Sequence, residues 1–278
     1  MIRIFLILAL TLIALPATAQ QQDSTMTPEE RLNRMRAVEG RVPEDVVTSF
    51  RRRVVDSSNL PWRAIGRVNI GGRAHCSGAL IGKRLVLTAA HCLFSKAGNT
   101  MVVPAIVHFV SGYSKSEYRA HSRVERYFVP KGFDGRLGAE HKNLPFDWAL
   151  LTLEDPIGET EGFLELHENF REGSTHTGPL LATTEILAAG YPRDRAHILS
   201  IEENCNIQTA LYGSRVLVTD CLAIEGDSGG PILQEVAGGY VIVGIQTAST
   251  QVGRTRGTMG VSALAFRDRL QAAREESH

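Results

Sequence analysis

Short runs in which apolar and polar residues alternate, punctuated by Gly and Pro, recur from about residue 54 to residue 262. Pro61-Trp62-Arg63-Ala64-Ile65-Gly66-Arg67-Val68 alternates with a period of two, Ser77-Gly78-Ala79-Leu80-Ile81 follows, and Gly82-Lys83 turns the chain into Leu85-Val86-Leu87-Thr88. A period of two sends successive side chains to opposite faces of an extended segment, so these runs predict antiparallel strands joined by tight turns. Further strand patterns fall at 102–110, 122–128, 149–153, 185–189, 198–207, 215–221 and 240–246, and Pro231 feeds Ile232-Leu233 into an apolar run that reads as a buried strand. Many short strands with this punctuation predict an all-β barrel or sandwich. Two stretches lose the alternation. Residues 154–178 are rich in Glu, Gly and Thr and read as a crossover, and 263–276 turn to helix formers. In that tail Leu264, Ala265, Leu270 and Ala273 would face the body while Arg267, Asp268, Arg269 and Arg274 face water.

The beginning of the chain follows different rules. Arg3, an apolar run over 4–15 and Ala17-Thr18-Ala19 make residues 1–19 a secretory signal peptide cut after Ala19, with a membrane anchor as the alternative for a run this short. Residues 20–53 are polar and charged. Thr27-Pro28-Glu29-Glu30 predicts a helix to about residue 38, with Thr27 as cap, Pro28 at the first position and Glu30 completing a capping box. With no apolar face large enough for a core, 20–53 reads as a propeptide or a plain N-terminal tail, ending in Arg51-Arg52-Arg53.

Composition narrows the picture. At 278 residues and 43% hydrophobic content the chain can bury one large core or two modest ones. Formal charge is zero overall, and 22 basic against 24 acidic residues remain beyond Arg53. That balance points neither to nucleic acid nor to an anionic membrane as partner. Export makes an oxidising compartment the expectation, where the four cysteines read as two disulfides. No repeat, low-complexity tract or metal-ligand spacing stands out, so no metal or cofactor is expected.

Candidate chemistry sits at three strand ends. In Gly226-Asp227-Ser228-Gly229-Gly230-Pro231 the glycines permit a tight turn on which the amides of Gly226 and Ser228 converge beside Ser228 Oγ. A serine hydroxyl is a weak nucleophile unless a base takes its proton and donors meet the oxyanion that follows. Leu85-Val86-Leu87-Thr88-Ala89-Ala90-His91-Cys92 suggests the base. Phe146-Asp147-Trp148-Ala149 offers a carboxylate inside an apolar segment, where a charge is rarely buried without a partner. A glycine-rich turn, a core histidine and a helix-capping aspartate are the bland readings of the same residues.

Thr88-Ala89-Ala90-His91-Cys92, Asp147-Trp148-Ala149-Leu150 and the stretch 226–231 together resemble the chymotrypsin-like serine proteases, most closely the bacterial secreted branch that includes the glutamyl endopeptidases. The chain order His, Asp, Ser agrees with that template. The resemblance covers roughly residues 54–270. It implies an all-β fold of two six-stranded antiparallel β-barrels with the active site between them, barrel 1 at about 54–165 and barrel 2 at about 178–262, plus a C-terminal helix and tail at 263–278. It makes Ser228 the nucleophile, His91 the general base and then acid, Asp147 the group that orients the imidazole, and the amides of Gly226 and Ser228 the oxyanion hole. It pairs Cys76 with Cys92, which leaves Cys205 and Cys221 as the second pair or as two free buried thiols.

The specificity pocket implied by the resemblance is walled by Leu222, Gln246, Thr247, Ala248, Ser249 and Gly260. Leu222 stands where trypsin-like members carry an aspartate and Gln246 where the glutamyl endopeptidases carry a histidine, so the pocket is expected to be uncharged. A loop shift bringing Asp220 inward is the alternative. For activation, the resemblance implies a cut after Arg53 that frees Val54 to pair with Asp227; a charged side chain from within the body could instead meet Asp227 without any cut. The expected function is that of a secreted or periplasmic serine endopeptidase acting on peptide or protein substrates, without nucleic acid or stable membrane association. A catalytically weak or inactive peptide-binding protein on the same fold is the alternative, and an esterase would use the same residues.

Overall fold

The computed structural model describes residues 51–140, 142–167, 185–252 and 255–275. The expected signal peptide, the capped helix at 27–38, His141 and the part of the crossover stretch beyond residue 167 lie outside the described residues. Strand β1 (Arg52–Val54) opens the described chain, followed by β2 (Ile65–Ile70), β3 (Ala74–Leu80) and β4 (Leu85–Thr88). A small hairpin of β5 (Phe94–Ser95) and β6 (Thr100–Met101) precedes β7 (Val107–Ser111), β8 (Ala120–Phe128) and β9 (Ala149–Leu153). Six of these strands close a barrel in the order β2-β3-β4-β9-β8-β7. Its interior is filled by the inward positions of the alternating runs, with Val68, Leu80, Leu87, Phe109, Leu151 and Leu153 fully buried.

The second barrel uses β11 (Glu185–Gly190), β12 (Ser200–Leu211), β13 (Val216–Thr219), β14 (Pro231–Val236), β15 (Gly239–Val252) and β16 (Thr255–Ser262). They run β12-β11-β14-β15-β16-β13, and pairing of β12 with β13 closes the ring. Ile186, Ala188, Ile207, Leu217, Ile232 and Val243 form one buried cluster inside it. Two short strands from elsewhere dock on this barrel. β1 adds antiparallel to β12, and β10 (Glu165–Leu166), which follows the four-residue helix α1 (Gly158–Glu161), pairs in parallel with β15.

Several elements differ in extent from the sequence pattern. Pro104 opens a 3-10 turn at Pro104–Ile106, so the strand expected from residue 102 begins only at Val107, as a residue lacking N–H favours. β16 has no alternation in its sequence. Its Gly260 is there because a Cβ would lie 2.5 Å from the Ile245 carbonyl oxygen. The tail forms a 3-10 turn, Ala263–Ala265, and then helix α2 (Arg267–Glu275), whose Leu270 and Ala273 are buried against the body. Among the described residues no helix is long and apolar enough to cross a membrane.

Phe266, fully buried just before α2, meets the Trp148 ring of barrel 1 at a centroid distance of 5.8 Å. Phe266→Ala is expected to lower the unfolding free energy by about 3–5 kcal/mol through lost burial and the cavity left behind. Urea denaturation followed by intrinsic fluorescence would measure it, and a midpoint unchanged from the parent protein would refute the docking role of this ring.

Candidate active site

β4 and β9 are antiparallel neighbours with Thr88 opposite Ala149, so the residues just after one and just before the other emerge at the same end of the barrel. His91 follows β4 on the 3-10 turn Ala90–Leu93, and Asp147 precedes β9 at the end of the 3-10 turn Leu144–Phe146. Asp147 is 3% exposed. Its Oδ1 accepts from the His91 backbone N–H and its Oδ2 from His91 Nδ1–H, both at 2.8 Å. Holding the proton on Nδ1 leaves the lone pair on Nε2. Burial pulls the His91 imidazole down, but the charge of Asp147 and its hydrogen bond outweigh that and leave His91 above its ordinary value; Lys96 opposes weakly.

Ser228 comes from the other barrel, on the loop between β13 and β14. Two peptide groups in this loop are tied back by their carbonyls. Glu225 O accepts from Arg193 N–H at 2.7 Å, and Asp227 O accepts from Gly230 N–H at 2.8 Å. In a trans peptide the following N–H points the opposite way, so the amides of Gly226 and Ser228 both turn outward, and neither has an acceptor among the described residues. Gly226 sits at φ 98°, and a Cβ there would fall 2.5 Å from Tyr191 O and 2.8 Å from His75 Nε2. A side chain at Gly229 would collide with Thr88 and Ser77. His75 donates from Nε2 to Tyr191 O at 2.8 Å, a satisfied polar residue beside the loop. Ser228 Oγ makes no hydrogen bond within the described residues, His91 included.

Ser77 joins the two barrels at this point. Fully buried, it donates from its N–H to Ser228 O (2.9 Å) and from its hydroxyl to Gly226 O (2.8 Å), while that hydroxyl accepts from Tyr191 N–H (2.8 Å). Reading the sequence placed Ser77 only in a strand; a hydroxyl at a fully buried position of an apolar run was the available signal. The disulfide Cys76–Cys92 ties the same strand to the turn carrying His91, and Cys205 is bonded to Cys221. Cys76, Cys92 and His91 crowd together, but sulfurs in a disulfide offer no thiolate and the set does not suit a metal.

A cavity of about 90 Å³ opens beside Ser228, with Gln246, Thr247, Ala248 and Ser249 on one side and Ala223 to Glu225 on the other. Leu222 and Gly260, expected on its wall, are not there. Leu222 is held by its backbone, N–H to Glu202 Oε2 (2.9 Å) and carbonyl to Arg52 Nη2 (2.8 Å). A Cβ on Gly260 would point into the barrel core, 2.6 Å from Ile232 Cδ1. Asp220 stays away as well, its carboxylate accepting from Asn206 N–H (2.6 Å) and Gln208 Nε2 (2.9 Å). Side-chain donors around the cavity are engaged: Gln246 Nε2 with one N–H to Ala189 O, Thr247 Oγ1 to Met259 O, and Ser249 Oγ to Ala223 O.

In the uncut chain Asp227 is met as in the alternative, by a charged side chain from within the body. Val54 is 46% exposed, and the wholly buried Asp227 carboxylate is met by Arg52, whose long side chain reaches inward from β1. Burial pushes the Asp227 carboxyl above the usual carboxylate range, with Arg52 and the Ile224 N–H pulling against it. Arg52 was read only as part of a basic run.

Known proteins resemble this chain in sequence and fold. Residues 52–266 match the family model described as Trypsin. The chain is 28% identical over 196 residues to the glutamyl endopeptidase of Bacillus licheniformis, covering 66% of this chain and 53% of that protein. It is 29% identical over 189 residues to the trypsin-like protease of Streptomyces glaucescens (61% of this chain, 63% of that protein). It is 26% identical over 190 residues to trypsin iota of Drosophila melanogaster (63% and 69%). The chain thus spans about half the length of the Bacillus protein. A solved structure of a Glu endopeptidase in complex with MPD superposes with a TM-score of 0.63 at 20% identity, over 80% of this chain and 95% of that one, and shares the fold.

Nuclear magnetic resonance of ring-labelled histidine should find His91 titrating above 6.5, its ordinary value. Asp147→Asn removes both upward influences and leaves burial and Lys96, so the His91 midpoint should fall below 6.5. A midpoint that stays in place in the variant would show that Asp147 does not govern the imidazole.

Proposed function

The chain belongs to the trypsin family of serine proteases, and on that premise we propose that it is a serine endopeptidase that cleaves peptide bonds through an acyl-enzyme. The observation that carries this reading is the Asp147–His91 pair set at the end of one barrel while the other presents Ser228 between two outward amides without acceptors. Ser228 Oγ attacks the substrate carbonyl as His91 Nε2 takes its proton, and Asp147 stabilises the imidazolium that forms. The oxyanion lies against the N–H groups of Gly226 and Ser228. Collapse expels the amine, protonated by His91, and water repeats the sequence on the acyl-enzyme. The disulfides suit an oxidising compartment, and the apolar run at 4–15 serves as the export signal.

A second reading, a peptide-binding protein with little catalysis, draws on the missing Ser228–His91 hydrogen bond. Such bonds are commonly long in unliganded enzymes and tighten with substrate, so the protease reading is preferred.

We further propose a preference for uncharged side chains before the cut. The cavity beside Ser228 has a volume of about 90 Å³. A glutamate entering it would need free donors, and the hydroxyls of Thr247 and Ser249 and one N–H of Gln246 are engaged elsewhere. A lysine or arginine would need a facing acid, yet Asp220 is engaged elsewhere and the exposed Glu225 pairs with Arg193 at 2.8 Å. The preference named by the Bacillus relative is therefore not carried over.

A fluorophosphonate should label Ser228, and Ser228→Ala should lower turnover by about 10⁴–10⁶-fold with the fold retained. Full peptidase activity in that variant would remove the mechanism. In a peptide library the residue before the cut should be uncharged; dominant cleavage after Glu, Lys or Arg would show that the cavity recruits a group not facing it here.

A further inference from the structure

We propose that Arg52 is a positioning residue for the oxyanion hole of the uncut chain, acting through Asp227, and that β1 belongs to the working enzyme instead of being removed to activate it. This inference rests on the protease reading above. Arg52 meets Asp227 with both arms of its guanidinium, Nη1 to Oδ1 at 2.9 Å and Nη2 to Oδ2 at 2.7 Å, and Nη2 also donates to Leu222 O at 2.8 Å. Both side chains are at 0% exposure. A planar fork on a carboxylate fixes orientation as well as charge, which a lone ammonium does not.

Asp227 lies between the two residues whose amides face outward. Its Oδ2 also accepts from Ile224 N–H at 3.0 Å, and its backbone N–H donates to Ile224 O at 3.1 Å, so the carboxylate closes the turn that contains Gly226. Gly190 makes room for it, since a Cβ there would lie 2.5 Å from Asp227 Oδ1. The carboxylate thus has one tight seat, and its charge is met by Arg52. Without that charge the buried anion is left with a single backbone donor, and the turn that aims the Gly226 amide loses its closure.

The rest of the basic run is committed as well. Arg51 Nη2 approaches Glu202 Oε1 at 2.6 Å and donates to Asp220 O at 3.2 Å, and Arg53 Nε donates to Glu203 Oε2 at 2.9 Å. The peptide bond after Arg53 lies within a ladder in which Arg53 faces Ile201 and Val54 faces Ser200, continued by Val55 N–H to Leu199 O. A protease must first unpair that strand to reach the bond, and a cut there would carry Arg52 away from the anion it neutralises.

The test uses the full exported chain. Fluorophosphonate-labelled wild-type enzyme is analysed by intact mass: the expected labelled species still contains Arg52, whereas a labelled species beginning at Val54 would overturn the inference and leave the protease reading standing. Failure to label Ser228 at all would overturn both. Arg53→Gln should retain full activity, and an inactive Arg53→Gln would also count against the inference. Arg52→Ala should lower kcat by about 10²–10³-fold, the effect of losing one oxyanion-hole donor, with KM little changed and Arg52→Lys recovering part of the loss. Affinity for a peptide aldehyde, whose adduct oxygen occupies the hole, should fall in parallel with kcat. Arg52→Ala that is thermally weakened but unchanged in kcat and aldehyde affinity would assign Arg52 to stability alone.

Discussion

An ionised carboxylate taken out of water must be met by donors within hydrogen-bonding reach, because its desolvation outweighs any single contact. Among the described residues four acids are in that position: Glu161 at 4% exposure, met by Arg119, and Asp147 at 3%, Glu202 at 1% and Asp227 at 0% around the catalytic turns. Each fixes the segment that supplies its donors. Asp147 draws both the backbone and the ring of His91, so the imidazole cannot swing without stripping a bond from a buried charge whose other oxygen holds the His91 backbone. Glu202 collects Arg51 and the Leu222 amide, and Asp227 collects Arg52 and the Ile224 amide. The catalytic turns are thereby set by anions they do not themselves expose.

Ser77 performs the corresponding task between the barrels. A hydroxyl can donate once and accept twice, and a backbone N–H adds a further donor. Ser77 spends these on the carbonyls of Gly226 and Ser228 and on the Tyr191 amide. The carbonyls of Gly226 and Ser228 are therefore held toward the first barrel, while those of Glu225 and Asp227, bound by Arg193 and Gly230, leave the amides of Gly226 and Ser228 outward. The mutual placement of His91 and Ser228 depends on a residue with no chemistry of its own.

Much of this was legible in the sequence. Period-two runs found most strands because each barrel has one wet and one dry face, and β9 falls at the residues its pattern gives. The glycine-flanked Ser228, the His91 run and the lone acid at Asp147 were visible because catalysis restricts residue types locally. The cavity wall was less legible. β15 and β16 shift register between Gln246 and Ala248, and one such slip changes which residues face the pocket, as it did for Gly260. Arg51-Arg52-Arg53 was ambiguous for a different reason. Its acidic partners lie 150 to 175 residues away along the chain, so a paired basic strand and an exposed processing site look alike in sequence.

The order in which strands and helices are laid down also has a mechanical side. β1 precedes the first barrel but belongs to the second; β10 follows the first barrel and again docks on the second. After the second barrel, the chain returns to the first, where Phe266 packs on Trp148 and Arg274 donates to Ile81 O. The two barrels are laced together by three crossings of one thread, so moving one against the other pulls on β1, β10 and the Phe266–Trp148 contact. A cleft assembled from both halves is thereby braced against gaping.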